Sequence, residues 1–374
     1  MKNPFAYSHY VTGDSFCNRK KELSEIMKYI EGSQNAILYS HRRYGKSSLI
    51  RQAFRQIRET KMDIGTVYVE LYGATSEKDF ILSSFHALTR LESSLERLVK
   101  FFSQAAKNIR LNLSVDPMSG ETSISPSFDP FDEKIALEEL MGAIERYSEK
   151  RKLAIAFDEF QETGQFGGEG FEKRLRSFIQ GHENVCYIFS GSRRRLLADM
   201  FNSSGRAFYK MADSLPLERI GTRSYLPWID GLFRRKDVRL PRSLMEEIVA
   251  RFENHPMHIQ NFLFHLWEEI PGRDASLETI DRVEREMIQR KNTEYATLWE
   301  TLTLNQKKTL KLIIRNRGAG LFTAESLQSV GLKTGSAASK AIAALSEKEI
   351  ILKNGVWKIQ DIVFKKWLQK TLSM

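Results

Sequence analysis

The chain is poor in cysteine. Only Cys17 and Cys186 occur in 374 residues. They lie far apart and form no ligand spacing, which argues against a disulfide scaffold and a cysteine-based zinc site. Reduced, cytosolic thiols are the default for such usage. Long apolar runs are also missing, none approaching the ~20 residues that span a bilayer, so no membrane contact is expected. The start, Met1-Lys2-Asn3-Pro4-Phe5, has no apolar stretch of the kind a secretory signal needs. A cytoplasmic location follows as the expectation. The seven histidines form no H-E-x-x-H or other zinc pattern, and nothing local supports a Ser-His-Asp set. Long internal repeats and low-complexity tracts are absent. What remains, 41% hydrophobic and 28% charged residues, is globular composition and excludes a largely disordered chain. The length suggests about two or three domains.

The charge is unevenly placed. The whole chain holds 57 Lys/Arg and 47 Asp/Glu, a net of +10. Residues 301–374 hold 13 basic and 4 acidic residues, a net of +9, and the first 300 are near neutral at +1. A basic module at one end points to nucleic acid or an acidic protein, or to a solvated lysine-rich surface.

Apolar runs alternate with helical patterns. Ala36–Tyr39 reads as a buried strand, followed by an Arg- and Gly-rich turn and an amphipathic helix over Ser47–Glu59. Thr66–Leu71 reads as a second strand, and a long helical region covers 76–106. Residues 109–126 alternate as a hairpin around Asp116–Gly120. A helix over about 132–150 precedes a third strand, Leu153–Phe157, which ends in Asp158-Glu159. After a glycine-rich loop and another helix, Val185–Phe189 is a fourth strand ending in Ser190-Gly191-Ser192. This order predicts a parallel sheet covered on both faces. From about Leu215 the strand pattern stops and helices are expected, one of them over Pro256–Glu269. The last segment shows short helices near 305–316, 324–330 and 334–345. A hairpin follows, turning at Asn354-Gly355, which is the layout of a winged helix-turn-helix. The expected division is a core at 1–214, a helical lid at 215–300 and a basic winged-helix domain at 301–374.

Ser40-His41-Arg42-Arg43-Tyr44-Gly45-Lys46-Ser47 has the spacing and the Gly-Lys-Ser ending of a Walker A loop. Between a strand and a helix, such a loop curls backbone N–H groups around the β-phosphate while the helix N-terminus faces it. Lys46 reaches the β/γ-phosphates in this pattern, and the Ser47 hydroxyl ligates Mg²⁺. Ser40 puts a side chain where the pattern usually has glycine. Asp158-Glu159, directly after a buried strand, reads as the Walker B element, with Asp158 for a Mg²⁺ water and Glu159 to polarise an attacking water. Ser190 and Ser192 stand where a polar residue contacts the γ-phosphate or the water, or simply end a strand. Arg193, Arg194, Arg195 and Arg206 are candidates for an arginine finger, against the plainer reading of a solvated helix face.

With these motifs in order, the chain resembles the prokaryotic archaeal-type ATPases of the AAA+/STAND P-loop superfamily. Phe16-Cys17-Asn18-Arg19-Lys20-Lys21-Glu22-Leu23 is similar to that group's N-terminal box, and the resemblance implies a base- or ribose-side contact for Arg19. Arg42-Arg43-Tyr44-Gly45-Lys46-Ser47-Ser48-Leu49, Tyr68–Thr75 and Phe157–Phe160 also resemble its members. Asn254–Gln260 resembles the lid motif, which implies Pro256 near the adenine and His258 as a nucleotide sensor. A proline at a helix start is the plain alternative.

The resemblance implies an AAA+-like α/β core, a helical lid and a C-terminal winged helix that together form an ATP- and Mg²⁺-dependent switch. An arginine from a neighbouring subunit, and hence a homo-oligomer, belongs to that expectation. Hydrolysis is one reading, and a nucleotide-gated scaffold with negligible turnover is the other. In the winged helix, the helix from Thr334 would turn Ser336, Ser339 and Lys340 outward and pack Ala338, Ile342 and Leu345. Lys333 and Lys340, with Lys353 and Lys358 on the wing, would meet DNA phosphates. That helix has no Arg, Asn or Gln between Thr334 and Leu345, so base readout is weak and protein docking remains open.

Overall fold

The computed structural model describes residues 2–91, 109–115, 122–128, 132–166, 169–270 and 275–372. Helix α1 (Lys20–Glu31) leads into strand β1 (Ala36–Tyr39), then α2 (Lys46–Glu59), β2 (Ile64–Glu70) and α3 (Glu77–Leu88). The antiparallel pair β3 (Ile109–Val115) and β4 (Thr122–Phe128) follows. Then come α4 (Glu133–Ser148), β5 (Lys152–Asp158), α5 (Glu169–Gly181), β6 (Val185–Gly191), α6 (Arg194–Asn202) and β7 (Asp213–Pro216). These elements belong to one of two compact units, Ser8–Ile220.

Five strands of this unit form one parallel sheet in the order β2-β5-β6-β1-β7. Alternation in the strands divides bulk between its faces. In β5, Leu153, Ile155 and Phe157 join one core, and Ala154 and Ala156 join the other. In β6, Val185, Tyr187 and Phe189 share the first core. That side is filled by aromatic rings, with Phe160 and Phe189 centroids 4.6 Å apart and Phe80 and Phe157 5.1 Å apart. On the opposite side β5 offers only Ala154 and Ala156, beside Cys186 and Ile188 of β6 and Leu38 of β1, and helices α1 and α2 contribute Ile26, Ile30, Leu49, Ile50 and Ala53 to the core. The chain order puts the ends of β1, β5 and β6 at neighbouring positions, which is where open α/β sheets hold ligands.

The second unit comprises Met1–Tyr7 and Gly221–Met374. It contains α7 (Thr222–Arg234), α8 (Arg242–Arg251), α9 (Pro256–Glu269), α10 (Leu277–Arg290) and α11 (Asn292–Glu300). Next are α12 (Leu304–Arg315), α13 (Ala324–Ser329), α14 (Gly335–Glu347), the hairpin β8 (Ile351–Asn354) and β9 (Val356–Ile359), and α15 (Ile362–Thr371). Their starts are capped by local chemistry. Thr303 and Gln306 form a reciprocal capping box, and the Thr334 hydroxyl accepts from Ala337 N at 3.2 Å. Asp361 caps α15 through Val363 N and Phe364 N. Phe5 packs between Trp228 (5.3 Å) and Trp267 (5.9 Å) in this unit.

Four sequence expectations change. The boundary near 214 falls inside β7, a fifth parallel strand at the sheet edge. Only Leu215 of its four residues is buried and it ends in Pro216, so it carries no apolar run to read. Residues 221–300 and the winged helix fall in one compact unit, and α15, which follows the expected wing, packs against both. Lys365 pairs with Glu253 at 2.8 Å, Lys366 with Glu284 at 2.6 Å, and Trp367 Nε1 donates to Asn292 at 2.9 Å. The hairpin extends to Phe128, with its turn at 116–121 outside the described residues. The helix expected over 76–106 is α3 to Leu88 and a 3₁₀ turn to Leu91, and 92–108 lie outside the described residues. Among the described residues, no helix is long and apolar enough to cross a membrane.

One buried histidine makes stability depend on pH. His182 follows α5, and its Nδ1 is hydrogen-bonded to the Tyr187 hydroxyl at 2.6 Å. Burial lowers its pKa from 6.5 to about 4. The unfolded chain takes up this proton first, so the contribution is full above about pH 6.5 and declines as pH falls toward about 4. Replacing His182 by Gln is expected to flatten the pH dependence of unfolding in that window by roughly 3 kcal/mol at most, measured by urea denaturation.

Candidate functional site

The turn after β1 is shaped by two left-handed residues, Arg43 (φ 65°) and Gly45 (φ 92°). A Cβ added at Gly45 would meet no atom within 4 Å, so the loop leaves open space beside its backbone. Ser40 is not among the left-handed residues, which explains why serine is tolerated there. Its buried hydroxyl donates to the His41 carbonyl at 2.9 Å. Lys46 and Ser47 begin α2 directly after Gly45, so the helix N-terminus follows the turn without a break. Burial, and then the charge of Arg194, hold the His41 imidazole below its usual pKa.

The loop is braced from the N-terminal side. Arg19 is 5% exposed and donates to the Tyr44 carbonyl at 3.1 Å and to Glu22 at 2.7 Å. In this arrangement Arg19 braces the loop, supplying a donor to a buried backbone carbonyl. The Ser48 hydroxyl accepts from Val11 N at 3.0 Å, and the Tyr44 hydroxyl accepts from Arg219 Nε at 3.0 Å.

At the end of β5, Asp158 is 3% exposed and its carboxylate accepts four hydrogen bonds. Oδ2 accepts from Ser47 Oγ at 2.6 Å and from the Tyr68 hydroxyl. Oδ1 accepts from Ser190 Oγ and from Glu159 N at 3.1 Å. Burial, and then the Asp158 charge, raise the Tyr68 phenol above its usual pKa, so it stays a donor. Glu159 sits in the left-handed region at φ 57°. Its Oε2 accepts from Ser192 N (3.0 Å), Ser192 Oγ (2.8 Å) and Gln161 Nε2 (2.6 Å). The two serines of β6 and its end thus serve one carboxylate each. Gly191 lies under Gln161, whose Oε1 would be 2.0 Å from an added Cβ.

Asp158 and Ser47 suit Mg²⁺, a hard cation that takes oxygen ligands and is usually held by one or two carboxylates, phosphates and water. Their oxygens already meet at one point, and no cluster of three or more His, Cys, Asp or Glu competes among the described residues.

Other expected residues lie elsewhere. Arg206 is paired through Nε and Nη2 with Glu172, whose side chain is 4% exposed, and through Nη1 with Asp199 at 3.3 Å. To act as an arginine finger it would have to leave a buried carboxylate. Arg193 is exposed just before α6, and Arg194 lies over the Tyr39 ring at 5.1 Å. Pro256 occupies the first turn of α9. His258 is 3% exposed within the second unit, where its Nε2 accepts from Ile362 N at 3.3 Å. In α14, Ala338, Ile342 and Leu345 are buried, and Ser336, Ser339 and Lys340 are exposed. Lys333 and Lys353 are exposed and Lys358 partly so. Thr303, Asn305, Ser336 and Lys340 line an open polar cavity of about 420 Å³.

A sequence model described as an ATPase domain predominantly from Archaea matches residues 16–215. The chain belongs to this archaeal-type ATPase family. A second model, of a winged helix domain, matches residues 293–370 of this ATPase. Its fold is similar to that of the Walker-type ATPase PABY2304 of Pyrococcus abyssi, with 18% identity, TM-score 0.64, and coverage of 98% of this chain and 99% of that one. It is also similar to the Aeropyrum pernix ORC2 protein, solved as ADPNP–ADP complexes, with 13% identity, TM-score 0.55, and coverage of 100% and 99%. No curated protein matches the sequence. These likenesses establish a P-loop NTPase core of five parallel strands with a C-terminal winged helix.

Sequence reasoning assigned no role to Tyr68, Gln161 or Arg51. Tyr68 was legible only as a strand residue, because its contact with Asp158 depends on the pairing of β2 with β5. Ser190 is fully buried. Ser190→Ala removes a donor from a buried carboxylate and is expected to lower stability by roughly 1–3 kcal/mol, seen as a lower urea midpoint at unchanged slope.

Proposed function

We propose that the chain binds ATP with Mg²⁺ at the Ser40–Ser47 loop, hydrolyses it, and uses the nucleotide state to control the unit bearing the winged helix. The observation that carries this reading is the 2.6 Å bond from Ser47 Oγ to Asp158 Oδ2, which joins the loop after β1 to the acidic end of β5. Loop N–H groups would hold the β-phosphate, and Lys46 would reach the β- and γ-phosphates. Mg²⁺, when bound, neutralises phosphate charge; Ser47 and Asp158 would hold it. Glu159 would take the proton of the attacking water, once its carboxylate leaves Ser192 and Gln161. Arg193, exposed beside this strand end, is the better-placed candidate for a finger supplied in trans, which makes a homo-oligomer part of the proposal.

One observation favours the reading without turnover. Glu159 is held by three donors, a state suited to a nucleotide-gated scaffold. Phosphate release by wild type and Glu159→Gln, over a range of protein concentrations, separates the two. The expected result is at least a 100-fold lower rate in Glu159→Gln with nucleotide binding retained. No release above background at any concentration would leave the scaffold. A rate per subunit independent of concentration would remove the arginine in trans.

For the winged helix, the proposed partner is DNA, contacted through its phosphates, with protein docking as the other outcome. Support comes from Lys333, Lys340, Lys353 and Lys358 on α14, its approach and the wing. A cytoplasmic location belongs to the same reading and is supported by the low cysteine content, two in the chain, with no disulfide between them. Because α15 joins lid and winged helix, charge reversal tests this better than truncation. Replacing Lys333, Lys340 and Lys353 by Glu is expected to weaken duplex binding and to reduce its salt slope by about 1 for each lost phosphate contact. Unchanged affinity and slope would assign the surface to protein.

A further inference from the structure

We infer that Tyr68 is a positioning residue for the Asp158 oxygen that also meets Ser47, locked in place by the Arg51 guanidinium. The inference rests on the proposed nucleotide site.

The strand register creates the contact. Tyr68 of β2 is paired with Ala156 of β5, and Asp158 lies two residues further along the same face. Ala156 is too small to occupy the space in front of Tyr68, so the phenol reaches forward to Asp158 Oδ2. That is the oxygen that also accepts from Ser47. Tyr68 and Ser47 therefore fix one carboxylate oxygen from two elements, β2 and α2.

The ring itself is clamped. The Arg51 guanidinium carbon lies 3.9 Å from the Tyr68 ring centroid and 3.8 Å from that of Tyr10. Arg51 stands on α2, one turn beyond Ser47, so the stack ties the ring to the helix that carries the phosphate loop. Val11 N and Gly13 N bind Ser48 Oγ and Gln52 Oε1 of the same helix, at 3.0 and 2.8 Å, and so hold the Tyr10 segment against it.

The consequence is specific. Were Ser47 to turn its hydroxyl toward a cation, Oδ2 would still have the Tyr68 donor. Tyr68 continues to donate to Oδ2 and keeps the carboxylate aimed. A tyrosine that only filled space would do none of this, and its ring alone would suffice.

Tyr68→Phe keeps the ring and its stack and removes only the donor. The test is a Mg²⁺ titration of binding to a fluorescent ATP analogue, with the thermal midpoint measured in parallel. In Tyr68→Phe the Mg²⁺ midpoint is expected to rise about 10-fold, as for loss of a partner that orients a metal-binding carboxylate. Affinity without Mg²⁺ is expected to stay within about twofold of wild type, since Lys46 and the loop N–H groups are untouched. Arg51→Met, which loosens the ring but keeps the hydroxyl, is expected to shift the Mg²⁺ midpoint in the same direction by less. An unchanged Mg²⁺ midpoint in Tyr68→Phe, alongside a clear shift in Asp158→Asn, overturns the role of Tyr68 and leaves the site standing. Loss of Mg²⁺ dependence in neither variant, with Lys46→Ala binding the analogue as wild type does, overturns the nucleotide site and the inference with it.

Discussion

The buried carboxylate of Asp158 is the point on which the candidate site depends. Four donors reach it from four places: Ser47 on α2, Tyr68 on β2, Ser190 on β6 and the following backbone N–H. An ionised group at 3% exposure is costly unless its lone pairs are met. Meeting them fixes the ends of three adjacent strands and the start of one helix relative to each other. The loop, the acidic pair and the serines are then one hydrogen-bonded assembly. Glu159 is held beside it by separate donors, so the two neighbouring carboxylates have different partners.

Much of this was legible in the sequence, for identifiable reasons. Ala36–Tyr39, Leu153–Phe157 and Val185–Phe189 are uninterrupted apolar runs, and such runs mark buried parallel strands. Gly-Lys-Ser between a strand and a helix marked the loop, and Asp158-Glu159 after a strand marked its partner. In α14, the spacing of Ala338, Ile342 and Leu345 identified the packed face correctly. What escaped had no local signal or depended on pairing. β7 contributes a single buried residue, and α15 follows a hairpin that already completes the winged-helix pattern. Arg19 and Arg206 carry the charge expected of ligand-binding residues, but their partners, the Tyr44 carbonyl and Glu172, lie 25 and 34 residues away. No sequence window joins Tyr68 to Asp158, because only the register of β2 on β5 does so.

The basic end also looks different once folded. Lys365 and Lys366 answer Glu253 and Glu284 of the lid, and Lys308 donates to the Gly331 carbonyl at 2.6 Å. Part of the +9 is thus internal, holding α15 against α10 and ordering the winged helix. Lys333, Lys340 and Lys353 stay exposed just before α14, along it and on the wing, while Arg315, Arg317, Lys348 and Lys370 are exposed elsewhere in the segment. Long-range attraction and local contact are for that reason separable properties of this region.

The first seven residues belong to the unit that the rest of the chain completes only after residue 220. Phe5 finds its rings in Trp228, Phe233 and Trp267. Synthesis therefore runs against the architecture. The segment from Ser8 to Ile220 can assemble its sheet as it leaves the ribosome, while the preceding heptapeptide stays undocked for more than two hundred further residues. At several residues per second this is an interval of tens of seconds, during which an apolar aromatic ring has no native partner. Order of emergence thus makes docking of residues 1–7 a late step, since the rings that receive Phe5 are made only after residue 220.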